Sequence, residues 1–531
     1  MADTKREIER KFEFTKASAA RRGVPDLTGT AAIAAVSDQG TVDLDAVYYD
    51  TPDHRLAADG LTLRRRTGGA DAGWHLKLPV SPGVRDEIGA ALSDTVPVQL
   101  AALLRSRVRG AGLEPQVRLL SSRKVSHLLD ADGALLAELS TDTVRAERGA
   151  ATAAWTEVEV ELADGIDPVL LDAVEKAFRK AGLRVSDAPS KLARALTETE
   201  TETETEAEAA AAGAGAEAGT GAAAGPEPRA LPPADPGDGT AGAYVLAYLR
   251  EQRDALVALD PAVRRALPDS VHQMRVATRR LRSAFKTYRK VLDRDVTDPI
   301  GEELRHLAAE LGVDRDQEVL LERIQTHLEE LPRTLLVGPV RGRLRTWNNS
   351  RRSGSRRRAL AVLDSARYLT LLDSLDALLA EPPLCKAAGG RAERVLPKAV
   401  LRDYERLAGR VEAALAMEPG GERDVALHEA RKAAKRARYA AEAATPALGK
   451  PAKRLTKAVK KVQSLLGDHQ DSVVAREALR GLGIQAAAAG EPSFTWGVLY
   501  AREESLAERG ERELPAVWAK TSEPGLRAAL E

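Results

Sequence analysis

One basic pattern occurs twice in this chain, 156 positions apart, and no other feature limits its fold and partner as much. His272, Arg275, Arg279 and Arg282 make the first copy; His428, Arg431, Lys435 and Arg438 make the second. Both follow the spacing i, i+3, i+7, i+10. At about 100° per residue, the four side chains of each copy fall within a sector of roughly 80°, so each helix turns a row of cations to one side. A second echo follows each row: Leu311-Gly312 with Asp316 and Val319 recurs as Leu466-Gly467 with Asp471 and Val474. The repeat predicts a helical domain of two pseudo-equivalent halves with paired cationic faces. A single basic helix face is ordinarily a solvated, salt-bridged surface. Surface ion pairs give no reason, however, for a histidine to open both copies at the same offset. The partner that suits such faces is a polyanion.

The rest of the chain narrows that partner. With 531 residues there is room for two or more domains. Lys+Arg and Asp+Glu both number 79, giving a formal net charge of +0, but the charges are segregated. Acids crowd Glu198 to Glu208, whereas bases crowd both repeated helices and the run Arg341, Arg343, Arg345, Arg351, Arg352, Arg356, Arg357 and Arg358. Segregation points to local electrostatic sites rather than a generally adhesive protein. Aromatic residues make up 4% of the chain, which disfavours single-stranded nucleic acid read by base stacking, and no specific nucleic acid is expected. The single cysteine, Cys385, excludes an intrachain disulfide and a cysteine-based zinc site. Met1 to Lys11 is polar and charged, unlike a secretory signal, and there is no apolar run of membrane-spanning length. The expectation is a cytoplasmic protein without membrane partners.

From Ile8 to about Leu162 the pattern has period two. Val158, Val160 and Leu162 alternate with Glu157, Glu159 and Glu161; Trp74, Leu76 and Leu78 alternate with His75 and Lys77. Asp132-Gly133 reads as a hairpin turn, and Asp167 to Lys180 as a helix ended by Gly182. Residues 197–242 run through a Thr-Glu repeat and then Ala, Gly and Pro, too little apolar surface to offset ordering entropy; they are expected to be a disordered linker. From 243 to about 520 the chain is rich in Ala, Leu, Arg and Glu with helical periodicity.

Within the strand-rich part, Glu7-Ile8-Glu9-Arg10-Lys11 places Glu7, Glu9 and Lys11 on one face of a strand. Glu157, Glu159 and Glu161 form a second carboxylate row, Arg64 and Arg66 a cationic pair, and Lys77, Arg118 and Arg123 add cations. For any one strand a solvated outer face is the ordinary explanation. The combination makes sense if a closed barrel turns its polar face inward. Carboxylates would then hold a hard divalent cation, and Arg and Lys would grip phosphate oxygens.

These residues carry a resemblance. Glu7-Ile8-Glu9-Arg10-Lys11, Tyr49-Asp50-Thr51, Leu63-Arg64-Arg65-Arg66, Leu76-Lys77, Arg118 with Arg123, Asp142 ahead of Val144, Glu157 to Glu161 and Ser190-Lys191 make residues 1–196 similar to the CYTH domain, the triphosphate tunnel metalloenzymes. The resemblance implies an eight-stranded antiparallel tunnel that hydrolyses a triphosphate with Mg²⁺ or Mn²⁺. Carried over by motif, Glu7, Glu9, Glu157 and Glu159 would be catalytic, and these four with Glu161 would hold metal. Lys11, Arg64, Arg66, Lys77, Arg118, Arg123 and Lys191 would cradle the phosphates. Asp142 would join the metal set or support it, and His75 would be a supporting hydrogen-bond group.

Residues 243–520 resemble the CHAD domain. The matching elements are Val271 to Arg275, Arg279 to Arg282, Leu311-Gly312 with Arg315-Asp316, His428 to Lys432, Lys435 to Tyr439, and Leu466-Gly467 with Asp471. The resemblance implies two pseudo-symmetric four-helix bundles that bind inorganic polyphosphate and associate with polyphosphate granules. His272, Arg275, Arg279, Arg282, His428, Arg431, Lys435 and Arg438 would be the binding residues. The expected fold is therefore α+β and multidomain: an eight-stranded antiparallel β-barrel tunnel followed by an all-α domain. The expected function is polyphosphate binding with metal-dependent triphosphate hydrolysis in the tunnel; the alternative is a non-catalytic polyphosphate-binding protein at granules.

Overall fold

The computed structural model describes residues 3–200, 236–352 and 355–530. Most of the expected linker, including the Thr-Glu repeat from residue 201 onward, lies outside the described residues, as do the side chains of Arg315, Asp316, Arg351 and Arg352. The chain divides into two compact units, Met1–Ala230 and Leu231–Glu531.

The first unit runs β1 (Asp3–Phe14), α1 (Ala17–Arg22), β2 (Ala35–Asp50), α2 (Arg55–Ala58), β3 (Thr62–Thr67), β4 (Gly73–Ser81), β5 (Val84–Ala90), α3 (Val98–Val108), β6 (Glu114–Leu129), β7 (Leu135–Arg148), β8 (Ala151–Leu162), α4 (Val169–Ala181), β9 (Leu183–Val185) and α5 (191–200). Pairing follows the order β5-β4-β3-β2-β6-β7-β8-β1, and β1 also pairs with β5, so eight antiparallel strands close into a ring. The hairpin expected at Asp132-Gly133 joins β6 to β7, with Gly133 at φ 79°. The helix expected after Asp167 is α4, ended by Gly182 in the left-handed region.

Period two decides what the ring turns inward. Trp74, Leu76 and Leu78 face out of β4 and pack with Leu100, Leu103 and Leu104 of α3. Val158, Val160 and Leu162 face out of β8 and pack with Leu170, Leu171, Val174 and Phe178 of α4, where Phe12 meets Phe178 edge to face at 4.8 Å. Helices thus bury the outer apolar faces, and His75, Lys77, Glu157 and Glu159 are left pointing into the ring.

One end of the ring is filled. The Ser190 hydroxyl accepts from the Ala193 amide at 3.0 Å and starts α5. Leu192, Ala195 and Leu196 of α5 then pack against Tyr48, Val117, Leu119, Val144, Ala146 and Trp155 on the inner face. Helical structure continues through residue 200, past the expected domain end at 196. Leu192→Ala should cost the first unit about 2–5 kcal/mol by leaving a cavity in this stopper. In urea, its unfolding midpoint would fall while that of the second unit stayed put; an unchanged midpoint would show that α5 adds nothing to the ring.

The second unit is all helical among the described residues: α6 (Ala241–Arg264), α7 (Ser270–Thr287), α8 (Arg294–Glu310), α9 (Gly312–Glu329), α10 (Val340–Arg352), α11 (Ser355–Leu363), α12 (Ala366–Ala380), α13 (Ala392–Leu415), α14 (Gly421–Leu448), α15 (Lys450–Ala488), α16 (Phe494–Thr521) and α17 (Gly525–Ala528). The duplication is visible as α6-α7-α8-α9 against α13-α14-α15. Leu311-Gly312 separates α8 from α9, whereas Leu466-Gly467 lies within the unbroken 39-residue α15. The apolar cores do not divide along the repeat. A large one joins both halves, with Leu281, Leu304, Leu372, Tyr404 and Leu455 among its members. A smaller one joins α9 and α10 to the end of α15 and the start of α16 through Ile324, Leu344, Leu479 and Trp496. Alanines along α14, including Ala430, Ala434, Ala437 and Ala441, are fully buried, and their small side chains let its neighbours approach closely.

Candidate functional site

The ring encloses a cavity of about 490 Å³ that runs from Lys191, at the foot of α5, to Asp71, Leu135 and Ala163 at the opposite end. Its walls carry two linked charge clusters. In the first, Lys77 lies 2.6 Å from Glu7 and 3.1 Å from Glu87. His75 is held between Glu87, 2.7 Å from Nδ1, and the Asp71 carbonyl, 2.9 Å from Nε2, which is the supporting position expected for it. Arg64 approaches the Tyr48 hydroxyl at 3.5 Å and Glu87 at 3.6 Å, and Arg66 pairs with Asp71. In the second cluster, Lys191 lies 2.9 Å from Asp142, 2.6 Å from Glu157 and 2.7 Å from Glu159. Arg123 makes two 2.7 Å bonds to Asp142 and one of 3.1 Å to Glu159. Lys11 joins Glu159 to Glu9, which is 3.2 Å away. The Trp155 indole donates to Glu157 at 2.7 Å.

Burial and neighbours set the protonation of these groups. Burial, assisted by Glu87 and Glu161, outweighs Lys77 and pushes the Glu7 carboxyl up to about 7. Glu9 is just as buried, yet Lys11 and Lys77 overcome burial and bring it down to about 2. Burial, with Arg64 and Arg123 nearby, lowers the Arg66 guanidinium to about 10. Burial also opposes the charge on Lys191, but Glu159, Glu157 and Asp142 hold its ammonium well above the ordinary lysine range.

The structure sorts the sequence expectations for this cavity. Glu7, Glu9, Lys11, Arg64, Arg66, Lys77, Arg123, Glu159, Glu161 and Lys191 line it, and Glu157 contacts Lys191 directly. Arg118 does not belong with them: it lies on the outer face, half exposed, in a bidentate pair with Asp45 at 2.6 and 3.0 Å. Arg118 and Arg123 are five residues apart on one strand, and an odd separation sends side chains to opposite faces. Glu161 lies beside Lys5, away from the Asp142 cluster. The sequence reading missed Glu87 and Arg85, which line the cavity from β5. Their signal was Arg85-x-Glu87-x-Gly89, a same-face series like that of β1.

The donor set suits a hard divalent cation. Asp142, Glu157 and Glu159 each offer a carboxylate oxygen, all within 4.8 Å of one another. Of the five expected ligands, Glu157 and Glu159 fall in this group, and Asp142 completes it. Glu7 and Glu9 stand across Lys77 and Lys11. The Lys191 ammonium lies at the centre of the same three carboxylates, so a metal and this lysine would compete for one place.

In the second unit the two cationic rows meet. Burial first, then Arg279, Arg431 and Arg438, against the opposing pull of Asp471, bring the Lys435 ammonium down to about 7. Arg279 and Lys435 occupy equivalent positions in the repeat, so the halves face each other here. Arg275 donates to the Gly312 carbonyl at 3.0 Å, and Arg431 lies over Gly467, 3.9 Å from Asp471. The approach is tight in the first half, where a Cβ at position 312 would sit 3.1 Å from the Arg275 guanidinium, and looser in the second, where one at position 467 would sit 3.7 Å from Arg431 Nε. Burial lowers the pKa of His428, which is hydrogen-bonded to Gln470, so this histidine favours the neutral form. The rows part at their ends. Arg438 is paired with Glu442 at 3.1 Å and stacks on Tyr439 at 4.7 Å, whereas Arg282 turns into a separate cavity. In the Arg run, Arg343 pairs with Glu491 at 2.6 Å, while Arg341, Arg345, Arg357 and Arg358 are exposed.

Comparison with known proteins agrees with this division. A CYTH domain model matches residues 5–196 and a CHAD domain model residues 247–480. The uncharacterized protein MT2285 of Mycobacterium tuberculosis is 39% identical over 535 residues, covering 97% of this chain and 96% of that one. Among solved structures, PptA from Streptomyces chartreusis is 23% identical, covers 53% of this chain and 99% of its own, and has a TM-score of 0.44. The CHAD domain from the plant Ricinus communis is 25% identical, with 55% and 92% covered and a TM-score of 0.39. No helix among the described residues is long and apolar enough to cross a membrane. Ring, cavity and duplicated rows therefore have one common account: the chain belongs to the family of proteins in which a CYTH domain is followed by a CHAD domain.

Proposed function

We propose that this protein binds inorganic polyphosphate through its CHAD domain and hydrolyses a triphosphate in the CYTH ring. The observation that carries the proposal is the inverted ring: apolar faces covered by helices, and an interior closed at one end in which Lys11, Arg64, Arg66, Lys77, Arg123 and Lys191 share one cavity with carboxylates. Fixed cations in such a cavity bind phosphate oxygens and stabilise the charge that develops during phosphoryl transfer. Asp142, Glu157 and Glu159 would hold Mg²⁺ or Mn²⁺, which would supply charge neutralisation and a more acidic bound water. Glu7, held near 7, is the carboxylate best poised to take a proton from the attacking water as its oxygen bonds to the terminal phosphorus. The bridging P–O bond then breaks, and pyrophosphate leaves with its charge met by the arginines.

One observation favours the non-catalytic reading. The carboxylate triad is already neutralised by Lys191, with all three contacts under 3 Å. Inorganic tripolyphosphate incubated with Mg²⁺, Mn²⁺ or a chelator separates the two. Metal-dependent release of phosphate supports the hydrolase; binding without turnover in any metal leaves a binding protein.

The CHAD site has a pH signature. Between pH 7 and the ordinary lysine range, the unfolded chain keeps a proton on Lys435 that the folded chain has lost. Stability from this group therefore rises with pH through that window. A bound polyanion would restore the proton. Calorimetry at pH 8 in buffers of different ionisation enthalpy should show proton uptake on polyphosphate binding, and Lys435→Arg should abolish it. Equal heats in all buffers with the parent protein would contradict this role for Lys435.

A further inference from the structure

The duplication is broken at one pair of positions, and a cavity lies beside the member of the pair in the first half. Arg282 and Lys286 of α7 correspond to Arg438 and Glu442 of α14. In the second half, Glu442 neutralises the position: it lies 3.1 Å from Arg438 and 3.5 Å from Arg280, and both guanidiniums cover the Tyr439 ring. In the first half a lysine stands where that glutamate would be. A cavity of about 690 Å³ is found there, bounded by α7, α8, α13 and α14 and lined by Arg282, Lys286, Arg289, Arg406 and Arg436. The acids around it are already engaged: Asp298 with Arg294 at 2.7 Å, Glu302 with Arg305 at 2.6 Å, and the buried Asp403 with Arg436 at 3.0 Å. No carboxylate among the described residues lies within ion-pair distance of Arg282, Lys286 or Arg289. These cations crowd one another. Burial, with Arg282 and Arg436, lowers the Lys286 pKa against the weaker pull of Glu302 and Asp298, and burial also lowers that of Arg282 against Glu302.

Arg406 also lies 3.8 Å from Asp403, so the cations left without an acid partner are Arg282, Lys286 and Arg289, and three such cations gathered in a pocket differ from cations strung along a ridge. A ridge suits the interior of a polyphosphate chain, where each group carries one negative charge. A terminal phosphate has a second ionisation near pH 6 and carries about −1.5 to −2 at neutral pH. A pocket holding three cations without acid partners should therefore favour an end. Arg282 belongs to the cationic row and also lines the cavity, so a chain lying along the row has its terminus within reach of the pocket.

We propose that the cavity of Arg282, Lys286, Arg289, Arg406 and Arg436 is an end-binding site that seats a terminal phosphate of polyphosphate, present in the first half of the CHAD domain and closed in the second by Glu442. The assignment rests on the polyphosphate-binding reading above. It gives the domain a single anchored end from a nearly symmetric scaffold.

The test compares polyphosphate of one length in two forms, with free ends and with both ends blocked as phosphoramidates. Binding to the full chain is measured with a chelator present, so that nothing is hydrolysed. The parent should prefer free ends. Lys286→Glu, which copies the residue of the second half at an exposed position, should weaken free-ended polyphosphate roughly five- to tenfold and leave the blocked form nearly unchanged. Lys286→Arg should keep the preference. Equal losses for both forms, or no loss for either, would overturn the end site while leaving polyphosphate binding in place. If inositol hexakisphosphate bound with Lys286-dependent affinity and blocked and free ends bound alike, the pocket would belong to a different compact polyanion and the assignment would fall. Failure of the parent to bind either form would instead remove the polyphosphate reading itself.

Discussion

Glu7→Gln with Glu9→Gln is expected to leave tripolyphosphate turnover at least about 10³-fold below the parent, because charge placement in a closed cavity supplies most of the rate in phosphoryl transfer. The single variants separate chemistry from folding. Glu7 titrates near 7 in the folded chain, above its ordinary value, so its stabilising contribution falls as pH rises from about 4.5 through 7. Glu9 titrates near 2, so its contribution is complete above about 4.5 and is lost as pH falls toward 2. In metal-free protein at pH 8, Glu7→Gln should therefore raise the melting temperature of the first unit, and Glu9→Gln should lower it. Both should lose turnover when metal is supplied. Opposite shifts in stability with the same loss of activity cannot come from misfolding. Retained turnover in the double variant would remove these carboxylates from the reaction.

Arg279→Glu with Lys435→Glu should weaken polyphosphate binding by about 100-fold or more, since each lost charge-assisted contact is worth roughly 1.5–3 kcal/mol and each new carboxylate repels the ligand. The slope of log K against log salt should become shallower by roughly 2, one for each phosphate contact removed. Turnover of tripolyphosphate should be unaffected. These two positions are chosen because Lys435 feels Arg279 across the repeat, whereas Arg275 is also tied to the Gly312 carbonyl and its loss would disturb packing. Loss of both activities together would mean that the two domains share one site.

Local periodicity carried much of this into the sequence. Glu7, Glu9 and Lys11 must share a face on any strand, and the inward set of β1, β3, β4 and β8 could be read residue by residue. Arg118 was misplaced by motif where parity alone would have excluded it. Glu87 was overlooked because Arg85, Asp86 and Glu87 are charged on both faces of a short strand and give no apolar alternation to follow. Closure of β5 onto β1 pairs Lys5 with Glu87 across more than eighty residues, a long-range contact that no local pattern encodes. In the helical domain, spacing gave both rows, but not their unequal ends. Whether Arg438 is neutralised and Arg282 is not depends on one residue a turn away in each row, Glu442 against Lys286. The same Leu-Gly pair separates two helices in one half and lies inside a single helix in the other, so helix continuity there is set by packing rather than by the pair itself.

The stopper formed by Leu192, Ala195 and Leu196 has a geometric corollary. A passage open at both ends would let a linear polymer slide through and be cut anywhere. A blind bore would admit it only by the tip and halt it at the floor, where Lys191 stands. Depth would then count monomers: under the proposed hydrolysis the scissile bond would lie at a set number of units from the terminus, and whatever exceeded the bore would trail outside. If the proposed hydrolysis takes place there, it would yield fragments of one size, trimmed successively from the end, rather than a random ladder.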